Sequence, residues 1–223
     1  MDVRLRQAIE DGELETVERL VGERPEIAQE TEGGVSAVLF ALYRGREDIA
    51  RRLLAARSRS ADVFEAAALG EVEALAAALG EDPEARDRHA GDGFTPLTFA
   101  SFFGRLEAVV LLLEKGADPD LAAANPSRVR PLHSAVAQRD PDTVWAVAAA
   151  LLDAGADPNV EQEGGWTPLH AAALHGDLDL IELLLRHGAD PGSTSVDGKT
   201  PADLAREKNH TQVAERLGPA NGS

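Results

Sequence analysis

Six histidines, 39 carboxylates and no cysteine are the groups in this 223-residue chain that could do acid–base, nucleophilic or metal chemistry. Their spacing favours none of these. A zinc hydrolase needs two histidines on one helix face with a glutamate beside them, and no His-Glu-x-x-His run occurs. His133 and His170 each follow Pro-Leu, His175 and His187 stand apart in one segment, and His89 and His210 are isolated. Ser134 is a sequence neighbour of His133, which does not by itself aim hydroxyl at imidazole. There is no Gly-x-Ser-x-Gly elbow, no Gly-x-x-x-x-Gly-Lys cradle for phosphate and no dinucleotide fingerprint after a strand. Carboxylate pairs such as Glu13 with Glu15 and Asp177 with Asp179 fall where helices are expected to start, and negative charge there is favoured by the helix dipole. No residue is assigned a catalytic or metal-binding role, and no cofactor is called for.

Composition narrows the classes further. The formal charge is −17, from 22 Lys plus Arg against 39 Asp plus Glu, which repels phosphate backbones and anionic lipid. Nucleic acid and membranes are therefore poor partners, and a basic protein is a better one. The absence of cysteine excludes disulfide scaffolds and thiolate zinc sites and suits a reducing compartment. No apolar run approaches the roughly 20 residues of a spanning helix, and the amphipathic start carries no signal-peptide core, so a cytoplasmic location is expected. With 43% hydrophobic residues the chain can fold, and with few aromatics its core must be built from Leu and recurring Ala runs, which favours closely packed helices.

The elements that position these residues are organised by a repeat. Thr95-Pro96-Leu97, Pro131-Leu132-His133, Thr167-Pro168-Leu169-His170 and Thr200-Pro201-Ala202 place prolines 35, 37 and 33 residues apart. Gly-Ala-Asp-Pro recurs at 116–119, 155–158 and 188–191. In the best-formed unit, Thr167 is placed to cap a helix whose first residue is Pro168, where a missing N–H costs nothing. Ala171 and Ala172 permit close helix approach, Gly176 ends the first helix, and Leu178, Ile181, Leu184 and Leu185 form the apolar face of a second. Residues 189–199 are turn-rich and read as a projecting finger. Extending the register backward gives seven units with proline-equivalent positions 4, 37, 62, 96, 131, 168 and 201, filling residues 1–217 as one domain, with 218–223 a flexible tail.

Periods near 33 with a Thr-Pro-Leu-His signature resemble the ankyrin repeat. The resemblance implies an all-α solenoid of about seven helix-turn-helix units with hairpin fingers. Polar residues replace the pattern at both ends (Arg4, Arg6 and Gln7; Asp203, Gln212, Glu215 and Arg216), which reads as capping units and a complete protein. The repeat breaks twice. Only 25 residues separate positions 37 and 62, with Arg57-Ser58-Arg59-Ser60 in place of a finger, and unit five carries four extra residues around Asp140-Pro141-Asp142. Continuous fingers are therefore expected only from unit four onward, with the C-terminal half as the binding surface.

The resemblance also implies where a partner would bind. Finger tips and the exposed positions near the ends of the first helices line a concave face, which by register carries Val35, Tyr43 and Arg44, then Ser60, Ala68 and Leu69, then Phe94, Phe102 and Phe103. It continues through Arg128, Val129, Ala137 and Gln138, then Trp166, Leu174, His175 and His187, and ends with Lys199, Glu207 and Lys208. Five of the nine aromatics fall on this set, as interface anchors do, although Phe102 or Phe103 could equally cover a gap between helices. Phe40, Phe64, Phe99 and Trp145 read as core packing, and His133 and His170 as ties between finger backbones. The function implied is noncatalytic binding of a protein or peptide by a chain more suited to a monomer than a homodimer. The alternatives are a small-molecule or catalytic groove around Trp166, His175 and His187, and an acidic inhibitor or immunity-type protein.

Overall fold

A computed structural model describes residues 1–57, 60–138 and 140–218. The expected tail beyond Gly218 and the middle of the Arg57-Ser58-Arg59-Ser60 stretch lie outside the described residues. Fourteen α-helices among the described residues pair in chain order. The inner row is α1 (Val3–Asp11), α3 (Ala37–Tyr43), α5 (Val63–Leu69), α7 (Pro96–Phe102), α9 (Pro131–Val136), α11 (Pro168–His175) and α13 (Pro201–Glu207). The outer row is α2 (Leu14–Glu23), α4 (Glu47–Ala55), α6 (Val72–Glu81), α8 (Leu106–Glu114), α10 (Pro141–Asp153), α12 (Leu178–Arg186) and α14 (Thr211–Leu217). The helices pack on their hairpin partners and along each row, giving an all-α solenoid, with α4 and α6 making the weakest contact along the outer row.

The helix starts follow from capping chemistry. Proline is the first residue of α7, α9, α11 and α13, and the oxygens of Ser36, Asp62, Thr95 and Thr200 accept from backbone N–H groups of the first turn. In α1 and α5 the cap is an aspartate, Asp2 or Asp62, and the helix begins at Val3 or Val63. The seam between the rows is filled by leucines such as Leu5, Leu53, Leu97, Leu132 and Leu169, each contributing about 1.5–3 kcal/mol on burial, and by alanines that allow backbones to approach. Arg4, Arg6 and Gln7 at one end, and Gln212, Glu215 and Arg216 at the other, face solvent.

Successive units are tied by backbone acceptors. The Nε2 of His133 bonds the carbonyl of Trp166 at 3.1 Å, and that of His170 bonds the carbonyl of Lys199 at 3.1 Å. His89 and His210 do the same to Ala122 and Leu174. A second ladder runs through the Gly-Ala-Asp-Pro corners, where the N–H groups of Asp118, Asp157 and Asp190 donate to the side chains of Asp87, Asp120 and Asn159. Burial there, with Asp157 and Asp118 close by, raises the pKa of Asp120 above the ordinary carboxylate value.

Unit three corrects one sequence expectation. The finger before unit two is a two-stranded hairpin, β1 (Thr31–Glu32) with β2 (Val35–Ser36), and it does not stand apart from the later fingers. Gly34 lies directly on Gly91 of the finger before unit four, so that a Cβ on Gly91 would fall 2.5 Å from the Gly34 Cα. With no finger before unit three among the described residues, and only small side chains, Ala66 to Ala68, at the centre of α5, units two and four meet across it. The Tyr43 hydroxyl donates to Asp92 at 2.5 Å, and Arg105 reaches back to Glu47 at 2.6 Å. Burial would raise the Glu47 pKa, but bonds from Arg105 and Arg51 prevail and hold it below normal. A buried ion pair ties the end of α4 to α5: Arg57 meets both oxygens of Glu65 at 2.7 and 2.8 Å and donates to the carbonyl of Ala28. Glu65 occupies the position in α5 that histidine holds in α9 and α11.

Two further expectations are overturned. Ala68 and Leu69 are buried and not on a binding face, because Arg105 lies over the end of α5 and donates to the Ala68 carbonyl at 3.1 Å. Trp145 is not a core residue but 44% exposed, because Val144, Val147, Ala148 and Leu151 take the buried side of α10.

Candidate interaction surface

The ends of the inner helices and the finger bases converge on one cleft of about 190 Å³. Its walls are Tyr43 at the end of α3, Phe102 at the end of α7, Phe94 and Val129 from two finger bases, and Ala137 after α9. Thr98, Phe99, His133, Ser134 and Gln162 complete it. Phe99 is buried beneath the opening and meets Phe94 edge-on with centroids 5.9 Å apart, while Tyr43 sits 6.2 Å from both Phe99 and Phe103. Phe103 in turn packs perpendicular to Phe102 at 5.0 Å. Such tilted and edge-on contacts are the preferred aromatic geometry and hold the rings without further support. Tyr43 and Phe102 nonetheless remain 39% and 40% exposed, so the ring cluster has an open side.

Most polar groups of the cleft are already committed. The Nδ1 of His133 accepts from the N–H of Arg130 at 3.3 Å, so the proton sits on Nε2, aimed at Trp166. Burial pushes the imidazole down to about 4 and keeps it neutral. With both ring nitrogens engaged, His133 offers Ser134 no base. Thr98 and Thr95 bond each other at 2.8 Å, and burial together with the bond to Asp92 raises the Tyr43 pKa well above the phenolic value. What the cleft presents to a visitor is apolar surface of the size of one large side chain.

The sequence-derived residues therefore separate. Tyr43, Phe94 and Phe102 come together, with Phe103 in support. Arg44 faces unit one, bonding Glu10 at 3.1 Å over the Phe40 ring. Arg128 is exposed in the finger before unit five. Trp166 packs on His170 at 5.7 Å, Leu174 serves His210 through its carbonyl, and Lys199 pairs with Glu207 at 2.8 Å. His187 lies 3.7 Å from Asp153, and His175 lines a different groove with Val136 and Leu178. Trp166, His175 and His187 thus each face a different neighbour. Phe99, Thr98 and Gln162 were missed; Phe99 lies three residues after the helix-starting Pro96, the spacing of a buried face, and nothing local shows that its edge borders a cleft. Among the described residues no group of three or more His, Asp or Glu is arranged to hold a metal ion, and no helix is long and apolar enough to cross a membrane.

A stack of helical pairs with an aromatic opening on its inner row defines a repeat scaffold that presents a surface. Residues 63–149 match the family described as ankyrin repeats in three copies, and residues 151–205 match that described as ankyrin repeats in many copies. The chain belongs to the ankyrin repeat family, whose members are in general protein-interaction modules. It is 46% identical over 87 residues to the human ARF GTPase-activating protein GIT1, covering 39% of this chain and 11% of the relative. It is 42% identical over 113 residues to the mouse ankyrin repeat and SOCS box protein 16, covering 50% and 25%, and 43% identical over 89 residues to the Drosophila melanogaster ARF GTPase-activating protein Git, covering 40% and 12%. The chain thus spans a quarter or less of the length of these curated relatives.

Proposed function

We propose that this chain is a noncatalytic protein-binding module that seats its partner on the concave face, with the cleft walled by Tyr43, Phe94, Phe102, Val129 and Ala137 receiving one large apolar side chain. The observation that carries this reading is the aromatic cleft itself, open on one side, with the ring nitrogens of His133 and the hydroxyls of Tyr43 and Thr98 already bonded. Aromatic anchors of this kind dominate interface energetics, and a surface held by ring contacts and a hydrogen bond loses little entropy on binding. The charge of −17 favours a partner with basic residues around that anchor, disfavours nucleic acid and membrane surfaces, and keeps copies of the chain apart as monomers in the cytoplasm. The committed ring nitrogens of His133 and the separation of Trp166, His175 and His187 argue against the catalytic alternative.

Peptides selected on the wild-type chain from a random display library test this. They are expected to share a large apolar residue with Lys or Arg nearby, and to lose binding to Ala137→Trp, which fills the cleft from an exposed position. Equal binding to Ala137→Trp refutes the assignment.

A further inference from the structure

We propose a second docking surface on the outer row between units five and six, centred on Trp145, for an arginine-bearing basic segment of a partner protein. The helix α10 has 13 residues where its neighbours α8 and α12 have nine; the added turn, residues 141–144, carries Pro141 and Asp142, and Trp145 follows it directly, at the position of Leu106 in α8 and Leu178 in α12. That turn is fixed: the Asp140 carboxylate caps it through the N–H of Thr143 at 3.1 Å, and Thr143 packs onto Gly104, whose φ of 65° and lack of a side chain admit the methyl group. The indole is therefore presented on a rigid helix and left 44% exposed.

A groove of about 510 Å³ borders the indole, formed with Pro141, Asp142, Asp177, Asp179 and Glu182. It shares Pro141 and Asp177 with a groove of about 600 Å³ that contains Val136, His175 and Leu178, so a continuous trough runs from the inner helix ends to Trp145. Glu182 is held by Arg216, and Asp177 caps α12, but Asp142 and Asp179 have no side-chain partner among the described residues. Arg186 is the one cation lining the groove against four carboxylates.

An aromatic face with carboxylates around it selects a cation, and a guanidinium most of all, because it stacks on indole while its N–H groups pair with carboxylate. A second copy of this chain is excluded as occupant by the same charges, which would be brought face to face. The trough's inner end passes beside the aromatic cleft, but the groove at Trp145 shares no lining residue with it, so Trp145 and Ala137 are separable by mutation.

The test is titration of a fluorescein-labelled arginine–glycine repeat peptide into the full chain, read by anisotropy, with thermal melts confirming that the variants fold. Saturable binding is expected, weakened about fivefold or more by Trp145→Ala and likewise by Asp142→Asn with Asp179→Asn. Binding is expected to vanish when citrulline replaces arginine and to survive Ala137→Trp, so failure of the cleft assignment leaves this result standing. No saturable binding, full affinity in Trp145→Ala, or an equal loss on neutralising the remote exposed pair Glu15 and Glu26 overturns the proposal.

Discussion

Tyr43 and Asp92, 49 positions apart, are joined by a 2.5 Å hydrogen bond that passes over a whole repeat. In a solenoid each unit ordinarily touches only its neighbours. Here unit three is low enough that units two and four clasp each other above it, through this bond, through Gly34 on Gly91, and through Glu47 with Arg105. Removing the hydroxyl in Tyr43→Phe is expected to cost about 1.5–3 kcal/mol in urea denaturation, the range for a bond to a charged acceptor. Asp92→Ala should cost a similar amount, and the double variant little more than either. Full additivity would show that the bond is not what stabilises the clasp.

The close approach at Gly91 makes a stronger demand. A Cβ there meets backbone atoms of Gly34, which cannot swing aside as a side chain tip would. Gly91→Val is expected to push the two fingers apart and to lower the melting temperature by several degrees. Hydrogen exchange of the β1–β2 amides is expected to quicken at the same time; unchanged protection would contradict the packing described.

Arg57 and Glu65 form a fully buried ion pair, and removing Glu65 leaves the Arg57 guanidinium without its carboxylate. Glu65→Ala is expected to destabilise by about 3–5 kcal/mol, and Arg57→Met with Glu65→Leu by much less than Glu65→Ala. Chemical denaturation of the two variants decides it. A double variant as unstable as Glu65→Ala would mean that the pair supplies stability that apolar side chains in its place do not.

Stability is also expected to depend on pH through His133. Its folded-state value of about 4 lies below the ordinary 6.5, so between these values the unfolded chain binds the extra proton. The stabilisation is complete above about pH 6.5 and is lost as the pH falls towards 4, by at most about 3 kcal/mol, and His170, also pushed down by burial, adds in the same direction. Denaturation midpoints measured across this range should slope less in His133→Asn than in the wild type. Equal slopes would place the dependence elsewhere.

How much was readable beforehand varied with the locality of the signal. Thr167, Pro168 and Gly176 act within one helix, so their spacing sufficed to place it, and the roles of His133 and His170 followed from the same motif. Trp145 was misplaced because residues 144–152 are apolar almost throughout, leaving no polar side to fix the rotation of α10. Ala68 and Leu69 were misplaced because their cover, Arg105, arrives from the following unit. Within the cleft, Tyr43, Phe94 and Phe102 could be chosen by register, but their convergence depends on the clasp over α5, which no local pattern announces.

The clasp also changes how the molecule yields to force. A row of dominoes peels one at a time, and the thin contact between α4 and α6 would otherwise be the natural place for such a tear. Because Tyr43, Gly34 and Glu47 reach past it, tension applied at the amino terminus is shared by units two to four, which must let go in a single rupture instead of unravelling singly.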